Sequence, residues 1–286
     1  MKIIAVYHNK GGVGKTTTVV NLAAALSRKS YEVLVVDLDS QANSTYATGL
    51  IKFDSEEDDD IRENNVFHVL NSEAFHHVYD VAKESQFADY EINVIPSHIN
   101  LMKKENDLML QNNAGFFLMD KLRSVEDDYD FVIIDTPPSL NLYARIALFV
   151  ADYLIIPSDL KPFANQGLNN VKDFIDEVNV NRQYAQKVPI ELIGVLSSKI
   201  SPNAMFRKRT LPGLKTRVEE DYGINVMTTV ITQRETLARC TENAEYTQEG
   251  QQIPNPKSIF DYDINCRSAK EFNALVDEVL GEINGF

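Results

Sequence analysis

Asn9-Lys10-Gly11-Gly12-Val13-Gly14-Lys15-Thr16-Thr17 is the stretch around which the rest of the chain is organised. The apolar run Ile3-Ile4-Ala5-Val6 precedes it, and Val19, Val20, Leu22, Ala23 and Leu26 follow at helical spacing. Strand, glycine-rich loop and helix in that order put backbone N–H groups around a phosphate at a helix N-terminus. Glycine lets the backbone approach closely and take positive φ. In this pattern Lys15 reaches the β- and γ-phosphates, and the Thr16 hydroxyl ligates Mg²⁺. Position 9, where the pattern wants glycine, holds Asn, which tolerates left-handed φ. Beside it stands an additional lysine, Lys10.

Outward from the loop, residues 2–7 and 31–36 read as buried strands with a helix over 15–29 between them. The second strand runs into Asp37-Leu38-Asp39-Ser40-Gln41-Ala42-Asn43. Polar groups just past the C-terminal end of a parallel strand lie where open α/β sheets bind ligands, so Asp37 and Asp39 are expected to face the crevice of the phosphate loop. Phe131-Val132-Ile133-Ile134-Asp135 is a further apolar strand that delivers one carboxylate, Asp135, towards a metal. Strands are also expected at 91–96, 151–157 and 190–196, with helical pattern after 101 and around 168–178. This alternation predicts one α/β domain over residues 1–286, a doubly wound, mostly parallel twisted sheet with helices on both faces.

The chain has 286 residues and a net charge of −14. That balance argues against a uniformly basic nucleic-acid binder but leaves room for a local basic patch. Asp54, Glu56, Glu57, Asp58, Asp59, Asp60 and Glu63 mark an acidic surface insertion at about 52–65. The opposite charge gathers between Lys199 and Arg217. Lys199, Arg207, Lys208, Arg209, Lys215 and Arg217 occur there without an acidic residue, and Arg234 and Arg239 follow. Such a window suits sequence-independent contact with DNA phosphates, and without interleaved aromatics it does not suit stacking on single strands. No apolar run reaches ~18 residues, so no transmembrane helix is expected. The terminal helix at about 267–282 carries Glu271, Asp277, Glu278 and Glu282, too acidic to lie on anionic lipid. Cys240 and Cys266 lack CxxC spacing and read as reduced thiols.

Together these motifs resemble the ParA/MinD ATPases. Lys10 to Thr17 is similar to their deviant Walker A motif. Asp37 to Asn43 resembles their Asp-x-Asp-Pro-Gln-x-Asn segment, with Ser40 in place of proline. Ile134 to Leu140 resembles their Walker B region. Ile155-Ile156-Pro157 with Gly167-Leu168, and Thr229-Val230-Ile231 with Leu237-Ala238, continue the likeness to the C-terminal third. The resemblance implies a P-loop fold and a homodimer formed face to face around ATP and Mg²⁺. In that dimer each Lys10 reaches the partner's nucleotide, and Asp39 orients the attacking water. Lys10 to Thr17 cradle the nucleotide, while Thr16, Asp37 and Asp135 surround the metal. It also implies a cytoplasmic, nucleoid-associated protein that binds double-stranded DNA non-specifically and is stimulated by a ParB-like or adaptor protein on a cargo. Thr236 stands where related chromosomal proteins commonly carry a DNA-contacting arginine, with Arg234 and Arg239 close enough in sequence to substitute. A MinD-like membrane cycle needs a basic terminal helix, and an iron-cluster carrier needs paired cysteines at the dimer crevice. This sequence matches neither, and it opens on the first strand with no helix-turn-helix ahead of it.

Overall fold

Apolar runs that leave no face for water become the inner strands of one sheet. The computed structural model describes residues 1–50, 59–71, 76–85, 87–111, 113–246 and 252–285. The chain begins with β1 (Lys2–Val6), α1 (Lys15–Ser27), β2 (Val33–Asp37), α2 (Asn43–Ala47), α3 (Val66–Leu70) and α4 (Val78–Val81). It continues through β3 (Lys83–Glu84), β4 (Asn93–Ile95), α5 (Leu101–Gln111), α6 (Ala114–Arg123), β5 (Phe131–Asp135), α7 (Leu142–Val150) and β6 (Tyr153–Ser158). Then come α8 (Pro162–Tyr184), β7 (Glu191–Ile200), α9 (Leu211–Tyr222), β8 (Val226–Thr232) and α10 (Glu235–Thr241). A short hairpin of β9 (Ala244–Tyr246) and β10 (Gln252–Pro254) precedes α11 (Ile259–Asp263) and α12 (Arg267–Asn284).

The main sheet runs β3-β4-β2-β5-β1-β6-β7-β8 and is parallel except at β3, which pairs antiparallel with β4. Its strands alternate their apolar side chains between two cores. Ile3, Ala5, Val36, Ile134 and Ile156 pack under α5 to α9. Ile4, Val6, Val35, Ile133 and Ile155 pack under α1, α11 and α12. Burial on both faces is what a strand without polar alternation requires. It also lines up the C-terminal ends of β1, β2 and β5, where the register pairs Val6 and Asp37 each with Asp135.

The edge strand β8 is covered by carboxylates. Glu278 accepts the Thr228 and Thr229 N–H groups at 2.6 and 2.9 Å. Glu271 accepts the Thr232 N–H and hydroxyl at 2.9 and 2.7 Å. The apolar stripe of α12 (Phe272, Leu275, Val276, Val279) is buried against the second core. The acidity of this helix therefore has a structural use, and its apolar face has no surface left for lipid. Among the described residues no helix is long and apolar enough to cross a membrane.

The acidic insertion needs one correction. Asp54, Glu56, Glu57 and Asp58 lie outside the described residues. Asp59 is not solvated: its side chain is only 7% exposed, pairs with His98 at 2.9 Å and accepts the Ile61 and Arg62 N–H groups. Asp60 pairs with Lys83.

Candidate functional site

The phosphate loop leaves β1 at Tyr7 and enters α1 at Lys15. Gly14 takes φ +95°, and a Cβ there would lie 2.5 Å from the Ser198 hydroxyl, so glycine is needed for conformation and for space. Asn9 does not take positive φ. Its room comes from across the crevice, where a Cβ on Gly167 of α8 would meet the Asn9 amide oxygen at 2.6 Å. His8 is buried, and its Nδ1 accepts the Lys10 N–H at 2.9 Å. Burial and the charge of Lys15 push its pKa down to about 4, so the ring stays neutral.

Gly11, Gly12, Gly14, Lys15, Thr16, Thr17, Asp39, Asn43, Pro138 and Lys199 line a crevice of ≈ 210 Å³. The Lys15 ammonium meets the Lys10 carbonyl at 3.3 Å. Burial lowers its pKa, and the nearby charges of Asp135 and Asp39 oppose that shift. Beneath the loop, Asp135 accepts from the Thr16 hydroxyl at 2.7 Å and from the Ser44 hydroxyl at 2.6 Å. Asp37 faces inward rather than into the crevice, which corrects the expectation for this residue. It accepts the Thr45 N–H and hydroxyl, both at 2.8 Å, and the Asp39 N–H at 3.0 Å. It thereby fixes the turn that presents Asp39. Burial raises the pKa of Asp37 and of Asp135, and for Asp37 the charge of Asp135 adds to the rise. Two buried carboxylates beside a hydroxyl form an oxygen donor set that a divalent cation would relieve, so these residues fit Mg²⁺.

Lys10 turns away from the crevice. Its ammonium pairs with Asp159 at 3.3 Å, on the turn after β6. The next residue, Leu160, is buried with φ +54°, a strained conformation for leucine that the turn holds in place. Beside the loop lies a second cavity of ≈ 660 Å³, bounded by Gly14 and Thr17 on one side and by Ser198, Thr232 and Arg234 on the other. Ser44, Asp159 and Ser198 did not stand out in the sequence, and Gly167 did so only through the family resemblance. Each reaches the site from the end of a distant strand or the start of a helix.

A family model described as an AAA domain (AAA_31) matches residues 1–189. The sporulation initiation inhibitor protein Soj of Bacillus subtilis is 31% identical over 280 residues, covering 97% of this chain and 98% of its own length. The chain belongs to the ParA/MinD family of ATPases. Solved structures agree on the fold. Cobyrinic acid a,c-diamide synthase of Mycobacterium smegmatis, with bound ATP analog and magnesium, superposes with a TM-score of 0.77 at 22% identity, covering 99% of this chain and 95% of that one. An ATP complex of Cyanothece McdA superposes with a TM-score of 0.76 at 19% identity, covering 98% and 96%. The mostly parallel eight-stranded sheet is thus that of a P-loop NTPase.

In this ParA/MinD chain the eight basic residues singled out by charge have separate fates. Lys199 sits at the mouth of both cavities beside the phosphate loop. Arg234 lines the second cavity and pairs with Glu271 at 3.4 Å. The Lys215 ammonium is spent on the Met227 and Thr228 carbonyls at 2.6 and 3.2 Å, and burial lowers its pKa. Arg239 pairs with Glu235 at 2.5 Å on the exposed side of α10. Arg207, Lys208, Arg209 and Arg217 remain. The first three lie on a single π turn, Phe206–Thr210, that leads into α9, and Lys208, Arg209 and Arg217 are exposed. The charge window therefore divides. Lys199 and Arg234 line the cavities beside the loop, Lys215 and Arg239 have partners within the chain, and the π turn with Arg217 forms the remaining basic surface.

Proposed function

We propose that this ParA/MinD ATPase is a partition ATPase that dimerises on ATP and binds double-stranded DNA without sequence preference. It positions a cargo (plasmid, chromosome origin or protein body) through hydrolysis stimulated by a ParB-like or adaptor protein, and it associates with the nucleoid. The observation that carries this reading is the position of Lys10. The loop holds two lysines, and only Lys15 serves its own crevice, while Lys10 rests on Asp159. A lysine held outside its own site is available to a second subunit's nucleotide. There it would offset charge in the transition state of phosphoryl transfer and make turnover depend on dimerisation.

In this reading the N–H groups of Gly11 to Thr17 cradle the phosphates, and Asp39 orients water. Thr16 and Asp135, with Asp37 behind them, hold Mg²⁺. Bound there, Mg²⁺ would supply positive charge that offsets the negative charge of the phosphates. The cavity bounded by Ser198 and Arg234 has the volume and position to take the nucleoside. The half-buried Arg207 and the exposed Lys208, Arg209 and Arg217 make the phosphate contacts with DNA. The buried apolar face of α12 favours this reading over a MinD-like membrane cycle. The test is a gel shift on two unrelated duplexes with ATP, with ADP and without nucleotide. A shift with ATP alone, equal on both duplexes, is the expected result. Binding that ignores nucleotide, or that selects one duplex, would sink the proposal.

A further inference from the structure

Between Ser197 and Ile200, β7 takes three steps while its parallel neighbour β8 takes two, from Val230 to Thr232. One residue of β7 is therefore extra, a bulge in a parallel pair, where bulges are rare. Lys199 absorbs it, with φ +54°. That conformation is uncommon for a residue with a side chain, and bulges that use it ordinarily place glycine there. The bulge resets the alternation of the strand. Val195 packs in the first core and Leu196 in the second. Unbroken alternation would send Ile200 to the second core, and it lies in the first. Two successive side chains, Ser198 and Lys199, consequently meet the phosphate loop. A Cβ on Gly14 would lie 2.5 Å from the Ser198 hydroxyl and 3.9 Å from the Lys199 Cγ. Bulges beside ligand sites re-aim side chains, and backbone strain of this kind gathers at such sites.

The two cavities beside the loop define what the lysine is aimed at. The crevice of ≈ 210 Å³ holds Lys15 and Asp39, and the cavity of ≈ 660 Å³ extends towards Thr232 and Arg234. Among the described residues Gly14, Thr17 and Lys199 line both, and of these Lys199 carries charge. In the larger cavity Arg234 is paired with Glu271 and Glu235 with Arg239, and Glu242 is exposed. A nucleotide with its phosphates in the crevice and its nucleoside in the larger cavity passes from one to the other at the phosphate next to the ribose. We propose that Lys199 is a nucleotide-binding residue that holds this ribose-proximal phosphate, and that the bulge in β7 delivers it there. A lysine meets a phosphate as a point charge and supplements the fixed N–H groups of the loop. At this position it grips the part of the ligand that ATP and ADP share. Lys199 therefore sets affinity for nucleotide and leaves the chemistry at the far phosphate to Lys15 and Asp39. The inference rests on the reading of the larger cavity as the nucleoside site, and the two are tested by different residues.

The test is isothermal titration calorimetry of the full chain with ADP and Mg²⁺. Glycine takes φ +54° without strain, so Lys199→Gly keeps the bulge and removes the charge. This variant should bind ADP about tenfold more weakly than the parent chain, while its nucleotide-free Tm is no lower. Lys199→Gln should show the same loss, and Lys199→Arg should stay within about threefold of the parent. The loss should be equal for ADP and for a non-hydrolysable ATP analogue, and it should shrink as salt is raised. Parent-like ADP affinity in Lys199→Gly and Lys199→Gln would overturn the inference and leave the nucleoside reading standing. A loss confined to the ATP analogue would overturn it by moving Lys199 to the far phosphate. A loss in Lys199→Gly that Lys199→Gln does not share would overturn it by tracing the effect to the fold. A DNA salt slope lowered by about one with ADP affinity intact would overturn it by returning Lys199 to the DNA surface. Ala238→Trp, which narrows the larger cavity, tests the nucleoside reading by itself. Unchanged ADP affinity in that variant would overturn the nucleoside reading and the inference with it.

Discussion

The crevice around Lys15 and the surface around Arg207 handle charge in opposite ways. Beneath the crevice Asp37 and Asp135 are fully buried, and each carboxylate is held by two or more N–H or O–H groups. On the surface Lys208, Arg209 and Arg217 stand in water on a π turn and a helix, with no carboxylate among them. The first arrangement places charge before a ligand arrives, so single substitutions there have large effects. The second acts through summed, salt-screened attraction, so its residues are individually weak and matter as a group.

Five experiments break or sharpen that contrast. The largest effect belongs to the crevice. Asp39→Ala should lower single-turnover phosphate release by about 10²–10⁴-fold while nucleotide binding persists. Release within tenfold of the parent chain would remove Asp39 from the chemistry. Next in size is the surface. Reversing Arg207, Lys208 and Arg209 together to Glu should weaken DNA binding about 10²-fold and flatten the salt dependence of log K by about 3, with ATP dimerisation intact. Lys215→Met provides the contrast within the same charge window. It strands two carbonyls, so it should lower Tm by about 2–4 °C and leave the salt slope alone. A changed slope would return Lys215 to the DNA surface.

A smaller effect tests the Lys10–Asp159 pair beside the crevice. Asp159→Asn should free Lys10 and raise partner-independent turnover about fivefold, the equivalent of one half-exposed ion pair. Adding Lys10→Ala should cancel the rise, and a rise that survives it would show that Asp159 acts by another route. The smallest effect is on stability. Burial raises the pKa of Asp37 and Asp135, so the folded chain binds more protons than the unfolded one above the ordinary carboxylate value. Their contribution is favourable at low pH and is lost as pH rises through the folded values. Mg²⁺ competes with those protons. The part of the Tm gain from ADP that requires Mg²⁺ should therefore be larger at about pH 8.5 than at about pH 7. A gain that shrinks with rising pH would exclude these carboxylates as the metal's neighbours.

Much of this molecule was legible in its sequence for a physical reason. An apolar strand of four or five residues can end in only a few ways, and Asp37 and Asp135 mark where β2 and β5 stop. The glycines of the loop announce its conformation, and Gly14 needs both its positive φ and its missing Cβ. What stayed hidden arrives from elsewhere in the chain. Ser44 reaches Asp135, Asp159 reaches Lys10, and Gly167 makes room for Asn9, each across a separation that no local pattern reports. The strand-end rule that found Asp37 also applies to Asp159 after β6 and to Lys199 at the C-terminal end of β7. Applied there, it would have moved Lys199 from the DNA surface to the crevice. For Lys215 no such signal exists. A lysine that holds the carbonyls of a neighbouring strand looks, in sequence, like any lysine on a basic helix.

The carboxylates of α12 on β8 also limit how these molecules can associate. Strand addition at that end of the sheet would require Glu271 and Glu278 to release the N–H groups they hold. Hydrogen bonding from Thr229 and Thr228 outweighs burial and keeps Glu278 below the usual carboxylate range, so near neutral pH the seal stays charged and closed. Copies that meet at that end of the sheet are therefore expected to do so through side chains and not through shared backbone.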